Sequence, residues 1–204
     1  MLVLRILGLA DIHCSYQYSS YIVYEIIRHR ADLILIAGDI ECEDPLEKII
    51  DTGVKVFAVT GNLDDTYIYR IMKDYGVAID GMIADYEGYV IAGIGGLSFR
   101  TNFERIINGL NEISSYERLI ILSHYPPKGF NDTTHAGVHA GLNQLRDLLE
   151  RYSPILFLHG HIHEARGVSK YNNTIIVNPG PLMHGYYSII EISHNNLNVF
   201  LHRL

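Results

Sequence analysis

Short apolar segments recur along the chain and are separated by amphipathic ones. Seven of them are rich in Ile, Val and Leu and are bounded by Gly, Asp, Asn or Pro, so they predict β-strands. They cover residues 2–10, 32–38, 54–61, 88–96, 118–124, 154–160 and 173–180. Several are apolar throughout, which is typical of central strands covered on both faces. Residues 186–204 predict a β-hairpin with its turn at Asn195-Asn196.

The amphipathic segments between these strands predict helices. Asp44 and Pro45 predict the start of one helix, which Gly53 ends, and Thr101 with Glu104 predicts a capping box at the start of another. The apolar face after that box consists of Phe103, Ile106, Ile107 and Leu110. The other predicted helices are residues 18–30, 64–75 and 142–151. The order β-α-β-α-β, followed by a part richer in strands, predicts an α/β fold. Because no repeat or linker interrupts this order, residues 1–204 are predicted to form one domain.

Composition narrows the class of protein. With 48% hydrophobic and 19% charged residues, the 204-residue chain is not of the disordered type. A net charge of −7 without a basic block weighs against binding to nucleic acid or to an anionic membrane. Residues 2–10 are interpreted as a buried strand and not as a signal peptide. Cys14 and Cys42 are too few for a disulfide framework and predict a reducing compartment, so the protein is expected to be cytoplasmic.

Five of the strand segments are followed by side chains that can bind a metal ion. Because sites in α/β sheets assemble at the carboxyl ends of strands, we expect these side chains to share one site. They are Asp11 and His13, Asp39, Asn62 and Asp64, His124, and His161 and His163. Gly38, Gly61 and Gly160 precede three of these groups, and we expect each glycine to let the backbone turn tightly.

The ligand types indicate the chemistry of that site. Imidazole, carboxylate and amide oxygen suit Mn, Fe, Zn or Co, and none of them requires a thiolate. Two ions ~3.5–4 Å apart can hold a phosphoryl group, polarise it and generate a hydroxide. Such a pair needs a bridging carboxylate, for which Asp39 is the natural candidate.

These motifs, in their order and spacing, resemble those of the calcineurin-like metallophosphoesterases. They span residues 11–163, and Asn178-Pro179-Gly180 resembles a segment that follows in the small phosphodiesterase branch of that superfamily. The resemblance implies a four-layer α/β/β/α sandwich, two mixed β-sheets flanked by helices, with a dinuclear site at one edge. It also implies ligand sets: Asp11, His13, Asp39 and His163 for the first metal, and Asp39, Asn62, His124 and His161 for the second. Within these motifs Asp39, Asn62, Asp64 and His124 would be the catalytic residues.

One position departs from the family pattern. Many members carry a His after the Asn, where it contacts the phosphate or protonates the leaving group, whereas this chain has Leu63. Asp64 would normally orient that His and is expected to lack its partner here. His135 and His139 lie in a long loop, residues 131–141, which is either a solvated loop or a lid that contacts substrate and supplies the proton. His159 is expected in the core or behind the ligands, and not as a ligand.

The function predicted from these features is phosphoester hydrolysis, with diesters preferred to monoesters. Two divalent ions would be the cofactors, with Mn first and Fe, Zn, Ni, Co or Mg as alternatives, and a metal-bound hydroxide would attack phosphorus in line. The substrate would be a small phosphorylated molecule, and a homo-oligomer is left open. The alternative is a catalytically weak or silent metal-binding scaffold, because the retromer scaffold subunit on this fold also has an apolar residue in place of the His. A nuclease is disfavoured by the acidic charge.

Overall fold

The first of two β-sheets contains the earliest strands of the chain and the carboxyl-terminal hairpin. A computed structural model describes residues 3–113, 116–193 and 196–204. The strands of this sheet are β1 (Leu4–Leu9), β2 (Leu33–Ala37), β3 (Lys55–Val59), β10 (Tyr186–Ile192) and β11 (Leu197–Arg203), in the order β11-β10-β1-β2-β3. β1, β2 and β3 are parallel, and β10 is antiparallel to β1 and β11. The predicted hairpin is confirmed, although Asn195 of its predicted turn lies outside the described residues.

The second sheet contains six strands. They are β4 (Met82–Tyr86), β5 (Tyr89–Ile94), β6 (Leu119–Ser123), β7 (Leu156–Leu158), β8 (Gly167–Tyr171) and β9 (Thr174–Asn178), in the order β4-β5-β6-β7-β9-β8. The four central strands are parallel, and β4 and β8 lie antiparallel at the two edges. All seven predicted strands are confirmed. β4 and β8 were missed because their residues are exposed or only half-buried, and no continuous apolar segment marks such an edge strand.

In the described part of the chain, five α-helices cover the outer faces of the two sheets. α1 (Tyr16–Arg28), α2 (Glu43–Ile50) and α3 (Thr66–Asp74) pack on the first sheet, and α4 (Phe99–Asn111) and α5 (Asn143–Tyr152) pack on the second. A third apolar layer fills the space between the sheets. In β2, Leu33 and Leu35 belong to this inner layer and Ile34 and Ile36 to the layer under the helices, which explains a strand that is apolar throughout. The predicted four-layer α/β/β/α sandwich is confirmed.

Two predicted helix starts are wrong. α2 begins after Cys42 instead of Asp44, so Pro45 is its third residue. A proline costs no hydrogen bond at this position, because the first four N–H groups of a helix have no intrahelical acceptor. α4 begins after Ser98, so Thr101 lies inside the helix and Glu104 pairs with Arg100 one turn away. In both cases a capping sequence was present but the chain enters the helix earlier.

Candidate metal centre

The carboxyl ends of both sheets meet at one edge of the sandwich, and the predicted side chains lie there. Asp11 and His13 follow β1, and Asp39 follows β2. Asn62 follows β3, His124 follows β6, and His161 and His163 follow β7. Asp11, Asp39 and His124 are buried, with 0%, 3% and 0% of their surface exposed. Buried carboxylates are stable only with a compensating partner, so this burial indicates a site for positive charge.

The first group of potential ligands consists of Asp11, His13 and His163, whose ligand atoms all lie within 4.8 Å of one another. The Nε2 atoms of His13 and His163 face each other at 3.2 Å, and Asp11 Oδ1 lies 3.7 Å from His163 Nε2. His13 Nδ1 hydrogen-bonds Glu41 Oε1 at 2.7 Å. Because a carboxylate accepts, Nδ1 carries the proton and Nε2 keeps a free lone pair.

The second group consists of Asp11, Asp39 and His124, again with ligand atoms within 4.8 Å. His124 Nδ1 donates to the carbonyl oxygen of Ala37 at 2.8 Å, so its Nε2 is an acceptor. This Nε2 lies 2.8 Å from Asn62 Oδ1 and 3.6 Å from Asp39 Oδ2. Three acceptor atoms that converge in this way fit a bound cation, and the combination of nitrogen and oxygen donors fits a divalent transition metal.

The two groups share Asp11, so they form one continuous site. The structure thus places Asp11 at the junction, whereas the predicted bridge, Asp39, belongs to the second group alone. His161 belongs to neither group within this distance. Its backbone N–H donates to both oxygens of Asp11 at 3.1 Å, and its ring centroid lies 5.0 Å from that of His124.

The pKa values of Asp11 and Asp39 shift in opposite directions. Burial by itself would raise the pKa of Asp11, but the contact with His163 and the neighbouring His124 outweigh it and lower that pKa. Burial raises the pKa of Asp39, against the opposing effect of His124. The ion-pair contact with Asp11 raises the pKa of His163, whereas burial and the neighbouring His124 lower the pKa of His161 to about 4. The neutral His161 ring is therefore available as a nitrogen donor.

Asp64 holds two ligand-bearing loops together. Its carboxylate is buried and accepts three backbone hydrogen bonds, from Ile40 at 2.8 Å, Glu41 at 2.7 Å and Gly61 at 2.7 Å. Burial raises its pKa. The prediction that Asp64 lacks a partner is wrong, because these three backbone N–H groups are its partners. Asp64 positions the loops after β2 and β3 and thus the side chains of Asp39 and Asn62 on them.

Leu63 lies at the open side of this arrangement. Its side chain is 58% exposed, and its backbone N–H donates to Asp39 Oδ1 at 2.8 Å. The backbone at position 63 thus fixes the carboxylate of Asp39, whatever the side chain. The leucine side chain offers no proton or hydrogen bond.

The backbone of these loops is unusual. Of the twelve non-glycine residues with positive φ in the described part of the chain, half lie here: Asp11, His13, Cys14, Asp39, Glu41 and His161. Such conformations cost energy and cluster at functional sites. Among the three glycines, only Gly38 has a left-handed backbone, with φ 86°. Gly61 and Gly160 are required for space, since a Cβ on Gly160 would lie 2.7 Å from Asp11 Oδ2 and one on Gly61 would collide with Asp39.

The loop at residues 131–141 lies beside the site without entering either ligand group. His139 Nδ1 bonds Asp132 Oδ1 at 2.7 Å, and Asp132 also accepts from the backbone of Gly129 and Gly141. The backbone N–H of His135 donates to Glu164 Oε1 at 2.7 Å, next in sequence to His163. This contact places His135 at the edge of the site but outside both ligand groups. That residues 131–141 form a lid that contacts substrate therefore stays a prediction.

Several residues that support the site carry no sequence signal that assigns them a role there. Glu41 binds His13, and Asn178 donates to the carbonyl of Ile162 at 2.8 Å between the two carboxyl-terminal ligands. Tyr125 packs its ring 4.8 Å from the His161 ring. Of Glu41, Asn178 and Tyr125, only Asn178 is marked in the sequence, by the segment Asn178-Pro179-Gly180. His159, which is fully buried, donates Nδ1 to the carbonyl of Gly160 and belongs to neither ligand group.

Cys14 and Cys42 form a disulfide, with their Cα atoms 5.0 Å apart. The interpretation of two separate cysteines in a reducing compartment is therefore corrected. They are 28 residues apart in sequence. Cys14 lies in the loop after β1 and Cys42 in the loop after β2, and these strands are parallel neighbours, so the fold brings the two cysteines together. The disulfide ties the His13 loop to the Asp39 loop.

Among the helices of the described residues, none has the length and hydrophobicity of a membrane-spanning segment.

Comparisons with known proteins agree with this geometry. Residues 4–192 match the family described as the calcineurin-like phosphoesterase superfamily domain. An uncharacterized protein of Methanocaldococcus jannaschii is 29% identical, over 90% of this chain and 91% of the relative. Two solved structures share the fold: an archaeal phosphodiesterase (TM-score 0.61, 12% identity, 98% of this chain and 100% of the other) and a single mutant of Vps29 from Entamoeba histolytica (TM-score 0.59, 13% identity, 98% and 93%).

Proposed function

The chain belongs to the calcineurin-like phosphoesterase superfamily, and from that premise we propose that it is a two-metal phosphodiesterase. One observation carries the proposal: two groups of potential ligands share Asp11 at the edge where the two sheets meet. The family is metal-dependent, and the donor set is of the kind that divalent transition metals prefer.

We assign the ligands as follows. The first ion would be held by Asp11, His13 and His163, and the second by Asp39, Asn62, His124 and His161. Asp11 belongs to both groups of potential ligands, so we propose it, in place of Asp39, as the carboxylate between the two ions. The contacts of the first group support its set most directly, since two imidazole nitrogens and a carboxylate oxygen converge. Mn²⁺ is the proposed native ion, with Fe, Zn, Ni, Co and Mg as the alternatives. When bound, such a pair polarises the phosphoryl oxygens and supplies a hydroxide nucleophile at neutral pH.

The chain's own residues hold this arrangement in a reactive geometry. The Ala37 carbonyl fixes the tautomer of His124, so that the acceptor nitrogen faces Asn62 and Asp39. Asp64 ties the loop of Asp39 to the loop of Asn62 through backbone amides. A site that is organised before substrate arrives needs no rearrangement during reaction, which is the main source of electrostatic catalysis.

The preference for diesters rests on Leu63. The position that carries a proton-donating His in many family members is here an exposed leucine, so the leaving group departs without that donor. The apolar side chain at the open side of the site also tolerates a second ester group more readily than a dianionic monoester. We propose a small phosphorylated molecule as substrate and a cytoplasmic location, which requires that the Cys14–Cys42 disulfide persist under reducing conditions.

The proposal is tested by hydrolysis of bis-p-nitrophenyl phosphate and p-nitrophenyl phosphate, with Mn, Ni, Co, Mg and Zn supplied in turn. We expect metal-dependent cleavage of the diester at a higher kcat/KM than the monoester, and loss of both activities after chelation. Cleavage of the monoester alone would contradict the assignment to diesters.

The second candidate is a metal-binding scaffold for another protein. It is favoured by the exposed Leu63 beside the site, since an apolar side chain in this position suits a protein contact better than a phosphate contact. The fold is also that of Vps29. A folded protein that retains its metal but cleaves neither ester would support this candidate.

A further inference from the structure

Glu41 makes a contact that the ligand assignment does not use. Its Oε1 lies 2.7 Å from His13 Nδ1, and the side chains of His13 and Glu41 are 13% and 29% exposed. The backbone of Glu41 has φ 63°, and its N–H is held by Asp64 Oδ1 at 2.7 Å. An energetically unfavourable backbone that is held in place from a second loop indicates that the position of this side chain matters.

We propose that Glu41 is a positioning residue that orients His13 for metal binding. The hydrogen bond keeps the proton on Nδ1 and turns Nε2 toward His163 Nε2, 3.2 Å away. A carboxylate behind a ligating imidazole fixes the ring and makes the opposite nitrogen a better donor to a cation. The inference rests on the proposed function, because it assumes that His13 binds a metal ion.

A purely structural role is the competing explanation. Glu41 and His13 lie on the two loops that the Cys14–Cys42 disulfide already joins covalently. Loss of the Glu41 contact therefore leaves the loops connected, and the freedom it releases is mainly that of the imidazole ring. A positioning role and a stapling role consequently predict different results for the protein without metal.

Glu43 provides a matched control. It lies two residues further along the same segment, and its carboxylate bonds the hydroxyl of Tyr67 at 2.8 Å instead of a metal-binding side chain. The variants are Glu41→Ala, Glu41→Gln and Glu43→Ala. The glutamine variant preserves size and an acceptor oxygen, so it keeps the test valid if the alanine variant folds poorly.

The readouts are Mn²⁺ binding by equilibrium dialysis with metal analysis, and urea unfolding of the protein in chelator. We expect Glu41→Ala to weaken binding of one of the two ions ~10–100-fold, with Glu41→Gln between it and wild type, and Glu43→Ala unchanged. In chelator, the Glu41→Ala and Glu43→Ala variants should unfold at similar urea concentrations.

The possible failures are distinguishable. A wild-type protein that binds no Mn²⁺ would contradict the proposed function, and the role of Glu41 with it. A wild type that binds two ions, together with Glu41 variants of unchanged affinity, would overturn the role of Glu41 and leave the function standing. Weakened binding that is accompanied by an equal loss of stability in chelator would also overturn it, in favour of the stapling role.

Discussion

Asp80 offers a test of how the loop before Asn62 is held. It is 3% exposed and accepts hydrogen bonds from the backbone N–H of Thr60, at 3.1 Å, and from the Thr60 hydroxyl. Thr60 in turn binds the loop after β5, through Gly96 and Leu97. Burial raises the pKa of Asp80 from 3.8 to about 6, because too few partners compensate its charge.

The sign of the effect follows from linkage. A carboxyl whose folded pKa lies above its unfolded pKa favours folding when protonated, so its contribution is present below about pH 4 and is lost as the pH rises through about 6. Each pKa unit corresponds to about 1.4 kcal/mol, so the free energy of unfolding should fall by about 2–3 kcal/mol between about pH 4 and about pH 7 through Asp80 alone.

The substitution Asp80→Asn isolates this contribution. Asparagine has nearly the same shape and still accepts from Thr60, but it cannot be charged. Urea unfolding of wild type and variant across this pH range, in chelator to exclude metal effects, should show a variant that gains about 2–3 kcal/mol relative to wild type as the pH rises. A difference between the two proteins that stays constant with pH would refute the reasoning.

Four further predictions concern the site. Asp39→Asn should reduce the bound Mn²⁺ and abolish diester cleavage, because it removes a carboxylate from the second group; metal analysis that finds two ions retained contradicts the assignment. Metal binding should weaken as the pH falls through about 6.5 and should do so earliest at His163, whose pKa is raised by Asp11; a Mn²⁺ affinity that is flat with pH would exclude imidazole ligands. Leu63→His should cost only about 1 kcal/mol, since the side chain is 58% exposed, and should raise cleavage of esters with basic leaving groups by up to ~10²–10⁴-fold; an unchanged dependence on leaving-group pKa shows that proton donation does not limit the rate. Replacement of Cys14 and Cys42 by serine should lower the free energy of unfolding by about 3–4 kcal/mol, as expected for a loop closed across 28 residues; equal urea midpoints for variant and wild type would contradict this.

The sequence predicts the ligand-bearing loops well for a physical reason. Parallel strands that are buried on both faces must be apolar throughout, as in β2, so the first polar residue after each strand marks its carboxyl end. Because these strands are parallel within each sheet, their carboxyl ends lie at one edge. Asp11, Asp39 and His124 meet there as a direct consequence.

Contacts between loops could not be predicted in the same way. The role of Asp64 depends on three backbone amides, and no side-chain pattern records where a backbone N–H points. Glu41 and the Cys14–Cys42 disulfide depend on the register of β1 against β2, which is a property of the folded sheet. The edge strands β4 and β8 lack the apolar segments from which strands are predicted.

The central claim is that two cations bind side by side at the common edge of the two sheets. It is tested most directly by anomalous diffraction from crystals of the protein grown with Mn²⁺. We expect two anomalous peaks ~3.5–4 Å apart, one beside His13 and His163 and the other beside Asn62 and His124, with carboxylates of Asp11 and Asp39 nearby. A single peak, or none, at this edge in crystals that contain Mn²⁺ would contradict the two-metal site.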